Sequence, residues 1–301
     1  MGICEGRVAI VTGAGRGLGR AHALEFARQG AKVVVNDIGV ALDGSGGGAT
    51  PAEEVVQKIK DGGGEAFANA ADVTSFDQTG ALVAETVERF GRLDIVVNNA
   101  GFVRDRMFVS CSEEEWDAII GVHLKGHFCL SRHAAEYWRN QSKAGETVDA
   151  RIINTSSGAG LRGSIGQSAY SAAKAGIATL TLIQAAEMGR YGVTSNAIAP
   201  SARTRMTEEF FADTMAKPED GGFDVMDPAN VSPLVVWLGS SEARDVTGQC
   251  FELSGGEICV NDGWRMGPKV DKGARWEPDE VGAAVHDLLS KAVPNEKVHG
   301  A

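Results

Sequence analysis

Short apolar runs alternate along the chain with longer stretches in which apolar side chains recur every three or four positions. The runs Val8–Thr12, Lys32–Asn36, Glu65–Ala68, Leu93–Val97, Arg151–Thr155, Val193–Ile198 and Cys250–Leu253 are almost continuously hydrophobic or β-branched. Runs of that kind suit strands covered on both faces. Residues near 17–29, 52–61, 76–90, 112–139, 168–190 and 228–239 carry helical periodicity. Strands alternating with helices predict right-handed βαβ crossovers and an α/β fold, a doubly wound parallel sheet with helices on both faces. No repeat or linker interrupts the pattern, so residues 1–256 read as one unit.

Two segments depart from that plan. Ile38–Thr50 is rich in glycine and serine and predicts a flexible loop before a helix opened by Pro51. Residues 257–301 read as an irregular extension packed on the domain or at an oligomer contact, with a helix from Pro278 to Lys291. Pro278 at the first helical position and Asp279 and Glu280 in the first turn set its start.

Composition narrows the function. The net charge of -11 argues against nucleic acid and anionic membrane surfaces as partners, though not against an anionic substrate met by local arginines. No apolar run approaches the roughly 18 residues of a membrane span, and Met1–Gly6 shows no signal-peptide pattern before the first strand. Five scattered cysteines without a C-x-x-C pair fit reduced thiols and a cytoplasmic location.

The first strand runs into Thr12-Gly13-Ala14-Gly15-Arg16-Gly17-Leu18-Gly19 and then a helix. Glycines there let the turn close and the backbone approach a pyrophosphate, and the helix N-terminus offers free N–H groups to the phosphates. This strand–turn–helix context predicts a Rossmann-like dinucleotide site, with Gly13, Arg16, Gly17, Leu18 and Gly19 as candidate contacts. Asp37 closes the second strand. A carboxylate there accepts from both ribose hydroxyls of NAD and repels the 2′-phosphate of NADP. Arg16 pulls toward NADP, but a phosphate dianion beside Asp37 costs more than one exposed arginine returns. NAD is the expected cofactor and NADP the lesser alternative.

Tyr170 and Lys174 stand four apart on one helix face, where an ammonium lowers a phenol pKa. Ser156 and Ser157 follow the Arg151–Thr155 strand, and a hydroxyl at that carboxyl end can meet the tyrosine. Together these motifs resemble the short-chain dehydrogenase/reductase family over residues 5–256. The likeness rests on the glycine turn, Asp72-Val73, Asn98-Asn99-Ala100-Gly101, Ser157, and Tyr170 with Lys174.

The resemblance implies an oxidoreductase interconverting a secondary alcohol and a ketone, with Tyr170 as general acid/base and Ser157 binding the substrate oxygen. Lys174 would hold the nicotinamide ribose. Asp72 and Val73 would lie against the adenine, and Asn99, Ala100 and Gly101 along the cofactor. Pro200 and Thr204 are added on the cofactor side. The family spacing selects Ser157 over Ser156, and family likeness implies a homo-oligomer, dimer or tetramer.

Two departures refine the resemblance. The family's V-N-L-x-G reads Val122-His123-Leu124-Lys125-Gly126, and its Pro-Gly reads Pro200-Ser201, with Thr204 and Met206 one residue early. These resemble the hydroxyacyl-CoA dehydrogenase branch, found in peroxisomal multifunctional β-oxidation enzymes, and bacterial steroid-catabolism dehydrogenases. His123 becomes a candidate proton relay between Tyr170 and solvent, whereas His127 reads as a packed histidine. A zinc pair lacks a third ligand, so no metal is expected. His22, His133, His286 and His299 carry no pattern. Arg203 and Arg205, with Arg104 and Arg106, are candidates for the phosphates of CoA. The rival readings are an NADPH-dependent 3-oxoacyl reductase, a hydroxysteroid dehydrogenase and a catalytically silent nucleotide sensor.

Overall fold

A computed structural model of the chain describes residues 2–39, 50–203, 217–218 and 221–300. The first half runs β1 (Val8–Thr12), α1 (Gly17–Arg28), β2 (Lys32–Asn36), α2 (Thr50–Asp61), β3 (Ala66–Asn69), α3 (Phe76–Phe90) and β4 (Ile95–Asn98). Then come α4 (Glu113–Ile120), α5 (Gly126–Lys143), β5 (Ala150–Thr155), α6 (Gly158–Arg162), α7 (Ser168–Met188) and β6 (Val193–Ser201). The last elements are α8 (Ser232–Gly239), β7 (Cys250–Ser254), β8 (Glu257–Val260) and α9 (Pro278–Lys291).

The strands form one eight-stranded sheet in the order β3-β2-β1-β4-β5-β6-β7-β8. Every pair is parallel except β7 with β8. This is the Rossmann-like arrangement expected from the sequence. Alternate residues of each strand feed opposite faces, because successive side chains of a strand point in opposite directions. Ala9, Val11, Val33, Val35, Ile95 and Val97 pack with Phe26 of α1 and Val235 and Leu238 of α8. Ile10, Val34, Val96 and Ile152 face the other way, onto Leu82 of α3 and Leu130 and Trp138 of α5. Strand order reverses between β1 and β4, so a crevice opens at their carboxyl ends, where such sheets bind ligands.

Three elements differ from the sequence expectation. The stretch 112–139 is not one helix: a π-helical turn, Gly121–Lys125, separates α4 from α5. Its wider turn inserts one residue into the helical register, a feature that periodicity over a long window averages away. The extension begins with a regular strand, since Gly255 (φ 55°) and Gly256 form a tight turn that folds β8 back on β7. All four β8 residues are exposed, and the apolar run Ile258–Val260 is only three residues long, shorter than the runs that mark the other strands. The five-residue α6 was also not expected. By contrast, Ser112 and Glu115 form the capping box that opens α4, and α9 spans Pro278–Lys291 as anticipated. Residues 40–49 of the glycine-rich loop lie outside the described residues.

Candidate active site

The glycine turn lies at the mouth of the crevice. Gly13 has φ +61°, and a Cβ there would come 2.8 Å from Ala100 Cα, so the turn and the segment after β4 touch backbone to backbone. A Cβ on Gly19 would meet the Gly13 carbonyl oxygen at 2.2 Å, which ties α1 closely to the turn. Asn99 braces this contact. Its Nδ2 donates to the Thr12 carbonyl at 2.9 Å, and its N–H donates to Thr12 Oγ1 at 2.9 Å. Leu18 packs against the core beneath the turn. Arg16 is exposed at the N-terminus of α1.

Asp37 reaches back over the turn. One carboxylate oxygen accepts from Gly15 N–H at 2.9 Å and the other from Gly39 N–H at 2.8 Å. Each oxygen retains a second lone pair for a ribose hydroxyl. Asp72 accepts from the Thr74 N–H and hydroxyl, both at 2.8 Å, in the turn entering α3. Val73 is buried against Gly126 at the start of α5. Pro200 lies near the end of β6, paired with Leu253. Thr204, Arg205 and Met206 lie outside the described residues.

Ser157, Tyr170 and Lys174 converge at the end of β5. Ser157 caps α6, its Oγ accepting from Ala159 N–H at 3.2 Å. It also faces the Tyr170 phenol, where its hydroxyl favours the phenolate. Ser156 points away, its hydroxyl donating to the Lys174 carbonyl at 2.8 Å. The Lys174 ammonium donates to the Thr155 carbonyl at 2.6 Å and stands 5.5 Å from the centroid of the Tyr170 ring. The lysine is 2% exposed with no carboxylate partner among the described residues, and burial pushes its pKa down to about 7.

The phenol pKa runs opposite to the sequence expectation. Burial raises it above its ordinary value, Ser157 pulls it back in part, and the Asp105 carboxylate pushes it further up. The physical reason is that burial weakens the lysine's own hold on its proton along with the phenol's acidity.

His123 sits in the π turn, 1% exposed. Its Nε2 stands 2.7 Å from the Phe102 carbonyl oxygen and 3.2 Å from the Phe102 backbone nitrogen; the shorter contact suits Nε2–H donation, and Nδ1 has no partner among the described residues. Burial and the Lys174 charge lower its pKa to about 3, so the ring is neutral at physiological pH. His127, also buried, accepts from Thr155 N–H at 3.3 Å through Nε2.

A family model described as short chain dehydrogenase matches residues 7–214. The chain belongs to the short chain dehydrogenase family. Hydroxyacyl-CoA dehydrogenase ChsB1 of Mycobacterium tuberculosis is 46% identical over 297 residues, spanning 97% of this chain and 91% of that protein. Mouse peroxisomal multifunctional enzyme type 2 is 43% identical over 254 residues, 84% of this chain but 32% of that much longer protein. A crystal structure of a short chain dehydrogenase from Mycobacterium avium is 64% identical, covers 100% of both chains and superimposes with a TM-score of 0.90.

As a short chain dehydrogenase, the protein is an NAD(P)-dependent oxidoreductase acting on CH–OH groups. The residues present fit a nicotinamide dinucleotide. The Gly13 cradle excludes a Cβ, and the buried Lys174 ammonium satisfies only one of its three donors among the described residues. Gly13, Arg16, Gly17, Leu18, Gly19 and Asp37 would hold its phosphates and adenosine ribose, and Lys174 its nicotinamide ribose. No group of three or more candidate metal ligands occurs among the described residues. Nor is any described helix long and apolar enough to cross a membrane.

Several parts of this dehydrogenase site were not legible in the sequence. Asp105 is one: Gln167 Nε2 donates to its Oδ1 at 2.9 Å, and burial raises its carboxyl pKa. The arginines also sort differently from expectation. Arg203 is 9% exposed and forms a two-pronged pair with Asp224, so its charge is already spent inside the fold. Arg106 pairs with Glu115 at 3.0 Å. Arg104 lies over the Phe102 ring, 5.6 Å from its centroid, with no carboxylate partner among the described residues.

Proposed function

We propose that the chain is an NAD(H)-dependent 3-hydroxyacyl-CoA dehydrogenase whose substrate carries a bulky, steroid-derived acyl group. The observation that carries the reading is the convergence of Ser157, Tyr170 and Lys174, in a chain that matches a hydroxyacyl-CoA dehydrogenase over nearly its full length. An exposed apolar rim supports a bulky acyl group: Met107, Phe108 and Val109 follow the segment after β4, and Ile165 stands on the loop before Tyr170. Arg104, which has no carboxylate partner among the described residues, is a better-placed cation for a CoA phosphate than Arg203, which is paired with Asp224.

In the oxidising direction the Tyr170 phenolate accepts the hydroxyl proton of the substrate, and Ser157 donates a hydrogen bond that orients the same oxygen. Nicotinamide, when bound, supplies the acceptor for the hydride that leaves the carbinol carbon. Lys174, once its ammonium is held by ribose hydroxyls, keeps a positive charge beside Tyr170 and so favours the phenolate. His123 stays neutral and holds Phe102 and the Tyr170 ring in place, which replaces the relay role with a positioning one. The carboxylate of Asp37 favours NAD.

We read the enzyme as a cytoplasmic homo-oligomer, dimer or tetramer. Exposed Phe76 and Phe128, stacked with centroids 6.3 Å apart, give one apolar face for self-association, and Leu182 and Ile183 of α7 give another. Exposed Arg16 favours a second reading, an NADPH-dependent 3-oxoacyl reductase. Assaying hydroxyacyl-CoAs, hydroxysteroids and small secondary alcohols with NAD and with NADP separates these. Turnover of free steroid alcohols alone overturns the CoA reading.

A further inference from the structure

The segment joining the two hydroxyl-bearing residues of the site is held from outside. Ser157 opens α6, Tyr170 lies in the first turn of α7, and the connection 163–167 between them carries two glycines with positive φ, Gly163 at 81° and Gly166 at 76°. Such a loop has little stiffness of its own, since glycine leaves the backbone its widest freedom. On one side it is tied to the segment after β4: Arg106 N–H donates to the Gly166 carbonyl at 2.7 Å.

On the other side the tie comes from more than 130 positions away. Ile165 N–H donates to the His299 carbonyl at 3.0 Å, and His299 N–H donates to the Gly163 carbonyl at 3.2 Å, a parallel β-bridge between Ser164 and His299. Side chains repeat the contact. Arg162, the last residue of α6, grips both carboxylate oxygens of Glu252 on β7. Its Nε faces His299 Nε2 at 3.4 Å and a Glu296 carboxylate oxygen at 3.3 Å. A Cβ on Gly158, the residue after Ser157, would come 3.2 Å from His299 Nε2, so the imidazole lies against the backbone that carries the serine.

The rest of the extension does not account for this contact. No residue of α9 is buried, and Trp264 is 98% exposed. Residues 296–300 are thus seated by the catalytic connection and not by a core of their own.

We propose that residues 296–300 are a clamp, with His299 and Glu296 as positioning residues that fix the Ser157–Tyr170 connection in its productive geometry. The proposal rests on the assignment of Ser157 and Tyr170 made above. Misplacing a reacting group by about 1 Å can cost about 100-fold in rate, so loosening this connection is expected to slow chemistry more than it weakens cofactor binding.

The test uses the full chain, a chain lacking residues 294–301, and the double variant Glu296→Gln with His299→Ala. Hydrogen exchange at the amides of 158–170 reads the clamp without any substrate, and steady-state kinetics with any alcohol that is turned over reads its consequence. The deletion should speed exchange at Ile165 and its neighbours and lower kcat about tenfold, with NAD affinity within about twofold. The double variant, which keeps the chain length, should move both readouts in the same direction, and His299→Gln should restore most of kcat. Unchanged exchange in the deleted chain overturns the clamp, and so does faster exchange with kcat unaltered. Should no acyl-CoA be turned over by the full chain while exchange still responds, the substrate reading fails and the clamp stands on the kinetics of another alcohol.

Discussion

His123 and Tyr170 meet edge to face, with ring centroids 5.2 Å apart and planes at 86°. The imidazole is neutral because burial lowers its pKa from 6.5 to about 3. Between those values the unfolded chain binds a proton that the folded chain refuses. The stability it contributes is therefore complete above pH 6.5 and declines as the pH falls toward 3, by up to about 1.4 kcal/mol per pH unit. His22, buried against Ser232 and also lowered to about 3, adds the same sign. Melting temperature should drop between pH 7 and pH 5. His123→Asn should flatten that slope and lower kcat more than it raises KM. An imidazole resonance of His123 titrating near pH 6.5 removes this account and restores the proton relay.

Tyr170→Phe should keep the ring contact with His123 and so bind cofactor normally. It should lose turnover by about 100- to 10,000-fold, the usual cost of removing a general acid/base. A Phe variant within threefold of the parent kcat sinks the assignment.

Lys174 offers a calorimetric test. Its pKa of about 7 leaves it largely neutral at pH 8.5 in the free site. Ribose hydroxyls would favour the ammonium, so dinucleotide binding at that pH should take up a fraction of a proton. Titrations in buffers of different ionisation enthalpy measure that uptake, and Lys174→Met should abolish it. Uptake that survives in the Met variant assigns the proton to another group.

Coenzyme choice should follow Asp37. A preference for NAD(H) over NADP(H) of at least about tenfold, or roughly 1.4 kcal/mol, is expected, and Asp37→Ala should shrink it. A higher kcat/KM with NADPH in the unmodified protein makes Arg16 the stronger determinant.

Arg104→Ala should raise KM for an acyl-CoA by several-fold to tenfold, the range for a charge-assisted contact at a partly exposed rim. A neutral hydroxysteroid should hardly notice it. Arg203→Ala should instead lower stability, since it leaves Asp224 without its partner. Equal effects of Arg104→Ala on charged and neutral substrates mean that this residue meets no phosphate.

The order of elements was legible because continuous apolar runs and helical periodicity are local properties. β1, β2 and α9 fall where the pattern puts them, and the glycine turn declares itself through residues that only a tight backbone approach requires. The π turn was not legible. One extra residue in a register shifts no composition, although helical spacing alone already places His123, which lies in that turn beside Phe102 and Tyr170, on the inward stripe. β8 is hard to read from sequence because its apolar run, Ile258–Val260, is only three residues long, although the preceding Gly255-Gly256 is a usable turn signal.

The sequence by itself determined the strand–turn–helix that can receive a dinucleotide and the four-residue spacing that puts Tyr170 and Lys174 on one face. Both depend only on neighbours along the chain. Tertiary structure alone decided how charges are used. It turned Arg203 onto Asp224, laid Arg104 over the Phe102 ring, raised the Tyr170 phenol pKa and lowered that of Lys174 to about 7. It also laid His299 against the residue after Ser157. Desolvation and ion pairing depend on which distant groups a fold brings within a few ångströms, and residue spacing along a chain carries no record of that.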